Sequence, residues 1–89
     1  MEVLKLLGRE AREQTKLSQA AIARVLGYNN GQFISNFERG ESSMPIKALV
    51  KMADIYMIER NALMRALVND YISEIQGVLF PRKKGKKKW

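Results

Sequence analysis

The chain has 89 residues, 46% of them hydrophobic and 28% charged, which suffices for one small globular core and excludes a second domain. It contains neither cysteine nor histidine, so disulfide staples, thiolate chemistry and the usual proton carrier of neutral pH are missing, and no enzymatic activity, cofactor or metal is expected. The net charge of +7 is lopsided, because Arg82, Lys83, Lys84, Lys86, Lys87 and Lys88 supply six of the 16 basic residues and leave residues 1 to 81 at +1.

In chain order, the apolar residues recur at intervals of three and four without sustained alternation, which predicts an all-α fold. The N-terminus is acidic at its start and broken by charge, unlike a signal peptide or a membrane span, so a cytoplasmic location is expected. A first helix is predicted over residues 2 to 15, burying Val3, Leu4, Leu7 and Ala11. After the connection Thr15-Lys16-Leu17, Ser18 offers its hydroxyl as N-cap to a short helix from Gln19 to Leu26, which Gly27 ends. Tyr28-Asn29-Asn30-Gly31 is turn chemistry, and either asparagine suits the cap of a third helix, over residues 30 to 38, that Gly40 terminates.

Glu41 to Met44 form a polar connection, and Pro45 suits the first turn of a fourth helix whose buried stripe is Leu49, Met52, Ala53 and Tyr56. A break near Met57-Ile58-Glu59 separates it from a fifth. There Met64, Leu67, Val68, Tyr71, Ile72, Ile75 and Leu79 hold one face, and Arg65, Asn69, Asp70, Ser73 and Glu74 the other. This helix is longer than core closure requires. Pro81 marks its end, dividing a folded domain (residues 1 to 80) from a basic tail (residues 81 to 89) too charged to pack and expected to be disordered.

A short capped helix, a glycine-containing turn and a second short helix are the ingredients of a helix-turn-helix, whose second helix enters the DNA major groove. Arg12, Leu17-Ser18-Gln19, Ile22-Ala23, Leu26-Gly27, Ile34-Ser35 and Glu38-Arg39-Gly40 resemble, in order and spacing, the Cro and phage-repressor type of helix-turn-helix, the Xre family, over about residues 4 to 64. The turn Tyr28 to Gly31 is one residue longer than the commonest pattern of that family. The resemblance implies a five-helix, lambda-repressor-like DNA-binding domain, here with an extended C-terminal helix, and a structural ion pair between Arg12 and Glu38.

The residues themselves suggest how DNA would be read. Gln32, Ser35, Asn36 and Arg39 share the face of the third helix opposite Ile34 and Phe37. Amides at such positions suit adenine, and an arginine suits guanine or phosphate. Ser18 and Gln19, at the first turn of the second helix, are candidates for phosphate contact. Asn29 and Asn30 are candidates for phosphate contact or helix caps, and Gly31 would let the backbone approach the duplex.

These readings lead to a sequence-specific regulator of transcription, a repressor acting by occupancy. It would bind a palindromic operator in double-stranded DNA as a homodimer, because one such unit contacts few bases. The apolar stripe of the last helix is the candidate dimer surface, the alternative being that it folds back on the first helix. The six tail cations are candidates for non-specific phosphate contacts. Alternative readings are an antitoxin with a protein partner and an RNA-binding or scaffold protein that uses the tail.

Overall fold

A computed structural model describes residues 1–81, so the tail expectations on Arg82, Lys83, Lys84, Lys86, Lys87 and Lys88 lie outside the described residues. The described chain is all-helical: α1 (Glu2–Leu7), α2 (Arg9–Thr15), α3 (Gln19–Leu26), α4 (Gln32–Glu38), α5 (Ile46–Ile55) and α6 (Arg60–Leu79). The predicted first helix is present in two pieces. Its break falls at Gly8, where ψ is −161° and a Cβ would lie 2.3 Å from the Leu4 carbonyl oxygen, so the chain turns where only glycine fits. The third predicted helix starts two residues late, at Gln32, because Asn29, Asn30 and Gly31 are spent on the turn.

Buried apolar residues from every helix except α2 meet in one core, against which Ala11 of α2 packs partly buried, and Leu7, Ile22, Ile34, Phe37 and Met52 are its largest fully buried side chains. Ala23 is completely buried, as a small residue must be where α3 and α4 pack closely. Helix α5 and its C-cap residue contribute the predicted stripe of Leu49, Met52, Ala53 and Tyr56, and Met44 just before the helix is buried too.

Three helix ends share one geometry, in which the backbone turns left-handed and the next N–H reaches back five residues. At the end of α3, the Tyr28 N–H donates to the Ala23 carbonyl at 2.8 Å; at the end of α4, Glu41 donates to Asn36 at 2.9 Å; at the end of α5, Ile58 donates to Ala53 at 2.8 Å. This closure satisfies carbonyls that a helix end leaves without partners. Gly27 and Gly40 hold the left-handed position in the first two, but Met57 holds it in the third with φ 61°. A side chain there costs about 1–2 kcal/mol of backbone strain.

Helix α6 lies against α1 and α5 through its first half only. Leu63, Ala66, Leu67 and Asp70 turn toward the body: Leu63 and Ala66 are buried, Leu67 packs on the core, and the Asp70 carboxylate accepts the backbone N–H groups of Glu2 and Val3 at 2.7 and 3.0 Å. An aspartate from the last helix thus caps the first, satisfying two orphan donors and countering the positive end of its dipole. This corrects two sequence expectations. Asp70 does not belong to an outward polar face, and Leu67 does not belong with the outward apolar residues, because both fall on the three-and-four stripe that begins at Leu63. Every residue from Tyr71 to Pro81 is exposed, so the second half of α6 projects beyond the body. The radius of gyration of 15.3 Å accordingly exceeds the roughly 12 Å expected of a globular chain this long.

Candidate nucleic-acid interface

The site is built on α3 and α4 and on the ion pair that clamps them. Ser18 caps α3, its Oγ accepting the Ala21 N–H at 3.0 Å. Asn30 serves α4 similarly, its Oδ1 accepting the Gln32 N–H at 2.8 Å across the turn. Asn29 is exposed beside it. Between them Gly31, with φ −79°, sits so close to the start of α3 that a Cβ would lie 3.0 Å from the Ala20 nitrogen and 3.1 Å from the Gln19 carbonyl carbon. The glycine therefore serves contact between the two helices. Tyr28 and Phe33 meet edge to face with ring centroids 4.5 Å apart, which pins the longer turn to the first turn of α4.

Beneath this surface the Glu38 carboxylate gathers three donors. Arg12 binds it through Nε at 2.6 Å and Nη2 at 3.2 Å, and Gln19 Nε2 donates at 3.0 Å. Arg12 spends Nη1 on the Leu17 carbonyl at 3.1 Å. One ion pair, with only 4% of the Glu38 side chain exposed, thereby joins α2, the entry to α3 and the end of α4. The Arg12 guanidinium is held more strongly protonated than usual, chiefly by its hydrogen bond to Glu38 and against the opposing effect of burial. Tyr56 is close enough to feel both partners. Its phenol is pushed up to about 12, first by burial and then by the Glu38 charge, with Arg12 opposing.

The candidate base-reading residues occupy the outer side of α4. Gln32 and Arg39 are exposed, while Ser35 and Asn36 are half-buried. They are joined to one another. Gln32 Nε2 donates to Asn36 Oδ1 at 2.9 Å, Arg39 Nη2 donates to the same oxygen at 2.7 Å, and Arg39 Nη1 donates to Ser35 Oγ. Glu41, which sequence reasoning did not single out, completes the array by accepting from Arg39 Nε at 3.2 Å and Nη2 at 3.1 Å. These bonds raise the pKa of Arg39 and lower that of Glu41. The signal for Glu41 was present in Gly40: a left-handed glycine after a helix folds the following residue back onto its last turn.

The result is a polar surface with donors and acceptors of both kinds. A groove of ≈ 520 Å³ runs along it, lined by Arg9, Arg12, Ser18, Gln19, Ser35, Glu38 and Arg39. The Gln32 amide keeps its oxygen and one N–H, the pair an adenine edge requires. Asn36 keeps its amino group but has its oxygen already taken twice. Gln19 has one of its two amide N–H donors committed to Glu38.

The candidate dimer residues lie elsewhere. Met64, Val68, Tyr71, Ile72, Ile75 and Leu79 are exposed along the outer side of α6, and Val78 joins them at 74% exposure. Among the described residues no helix is long and apolar enough to cross a membrane, and no group of three or more histidines, cysteines or acidic residues is placed to hold a metal.

Neither the curated proteins nor the solved structures contain a match to this chain. A family model described as a helix-turn-helix domain matches residues 9–67, a span that takes in α2, both clamped helices, α5 and the packed start of α6. With α3, its glycine-containing turn and α4 in the arrangement that presents a helix to a DNA groove, the chain belongs to the helix-turn-helix domain family of DNA-binding proteins.

Proposed function

We propose that the protein is a sequence-specific regulator of transcription of the Cro and phage-repressor type. In this reading it binds a palindromic operator as a homodimer and represses by occupancy. The observation that carries it is the outer face of α4, where Gln32, Ser35, Asn36 and Arg39 present hydrogen-bonding groups on a helix held rigidly by the Arg12–Glu38 pair. Base contact falls to Gln32, Asn36 and Arg39, and phosphate contact to Ser18, Gln19, Asn29 and Asn30 around the rim. A cytoplasmic location goes with this role.

Support for the homodimer comes from α6. Met64, Val68, Tyr71, Ile75 and Val78 follow alternating steps of four and three, the repeat by which two helices interlock, and all five are exposed. The stripe is separate from the one that Leu63, Ala66 and Asp70 turn toward the body. A second copy matches the two-fold symmetry of a palindrome, which an antitoxin's unlike partner would not.

The experiment is selection of bound duplexes from a random DNA pool. Enrichment of one palindrome gives the operator and its half-site spacing together. Enrichment of a single half-site would exclude the dimeric reading, and no enrichment would exclude specific recognition.

A further inference from the structure

Arg39 in this structure has almost nothing left to offer DNA. A guanidinium has five N–H groups, and a bidentate grip on guanine or phosphate takes two of them on one edge. Glu41 occupies the edge formed by Nε and Nη2, while Ser35 and Asn36 occupy the edge formed by Nη1 and Nη2. The four bonds leave a single N–H on Nη1, enough for one hydrogen bond only. Arg39 must therefore release partners before it grips a duplex.

Glu41 is the partner that matters most. A carboxylate is an anionic acceptor with two oxygens, as a phosphate is, and it meets the arginine through the same two-pronged geometry. Gly40, with φ 77°, and the Glu41 N–H bond to the Asn36 carbonyl fix the backbone that brings the carboxylate back beside Arg39. On residues 1 to 81, whose net charge is only +1, the pair therefore leaves the charge of Arg39 balanced locally by a carboxylate rather than free to attract a duplex.

We propose that Glu41 is an internal stand-in for phosphate, which holds Arg39 in the unbound protein and is exchanged for the duplex on docking. The inference rests on the reading of the α4 face given above. Glu41 thereby sets a threshold: a duplex is gripped only where it offers Arg39 more than the carboxylate does. The pair is exposed, and exposed pairs are weak, so the threshold is small and tunable.

Affinity is measured for the duplex enriched by selection and for a random-sequence duplex, using the full chain, Glu41→Gln, Arg39→Ala and the double variant. Glu41→Gln is expected to tighten binding to the enriched duplex about two- to fivefold, the range that an exposed ion pair spans. Arg39→Ala is expected to weaken it, and Glu41→Gln is expected to add nothing in that background. A gain that survives without Arg39 would mean that Glu41 simply repels phosphate, which overturns the exchange. Weaker binding by Glu41→Gln would mean that the carboxylate supports Arg39 on the DNA, which overturns it as well. If Arg39→Ala binds both duplexes as the parent does, the reading of the α4 face fails at Arg39. If only Glu41→Gln is without effect, the exchange alone fails.

Discussion

The exposed faces of α4 and α6 are both candidates for contact with another molecule, and they wait for it in opposite ways. On α4 the side chains are polar and have bonded among themselves, Gln32 to Asn36, Asn36 to Arg39, Arg39 to Ser35 and Glu41. On α6 they are apolar, and Met64, Val68, Tyr71, Ile75 and Val78 stand in water. Polar groups lose little while unbound because neighbours or water satisfy them, so they confer selectivity with small net energy. Apolar groups have no such substitute, and covering them is favourable whatever the partner's sequence. Under the proposed function, the difference would give discrimination to α4 and assembly strength to α6.

The largest effect is expected where the α4 face is undermined from below. Glu38→Ala leaves the Arg12 guanidinium half-buried without its carboxylate and should destabilise the fold by about 3 kcal/mol, read from urea unfolding. A loss no larger than that of an exposed pair would show that the clamp does not hold α4 in place.

Next comes the apolar face. Ile75→Glu should weaken the proposed dimer by about 2 kcal/mol or more per interface, since it removes apolar burial and sets a charge in the seam. Sedimentation equilibrium measures this, and unchanged helix content by circular dichroism would show that the body is intact, because Ile75 lies in the exposed second half of α6. Identical association of variant and parent would detach α6 from dimerisation.

A smaller loss is expected on the polar face itself. Gln32→Ala should cost about 1–3 kcal/mol on the preferred duplex and little on a random one, with no change in unfolding midpoint. Equal losses on both duplexes would make Gln32 a general contact and remove it from readout.

The smallest effect lies outside both faces and serves as a control. Met57→Gly should stabilise the fold by about 0.5 kcal/mol, since relief of the left-handed strain exceeds the added freedom of the unfolded chain. Thermal unfolding checks it, and DNA binding should be unaltered.

The parts legible in the sequence were those whose signals are local. Ser18 before a periodic run, Gly27 and Gly40 after one, and Pro45 ahead of another each announce a helix end through their own backbone chemistry. What stayed hidden depends on residues far apart or on atypical choices. Asp70 caps a helix start 67 residues away, and nothing near Asp70 betrays it. Gly8 was absorbed into a stripe of Leu4, Leu7 and Ala11 that continues across it. Met57 adopts a conformation for which methionine is no marker. The candidate site divides likewise: the outward residues of α4 follow from helical spacing, whereas their mutual bonding, and the part of Glu41 in it, needed the folded turn at Gly40.

The cap that Asp70 places on α1 makes α6 a lever with a fulcrum. Past that residue nine exposed helical residues extend to Leu79, an arm of about 13 Å at the rise of an α-helix. A few degrees of tilt at the fulcrum carry the far end through an ångström or more, comparable to the tolerance of interlocking side chains. In the proposed symmetric pair the same tilt would swing both α4 helices, so the Glu2 and Val3 amides, through the one carboxylate that accepts them, would help set the distance between the two half-sites.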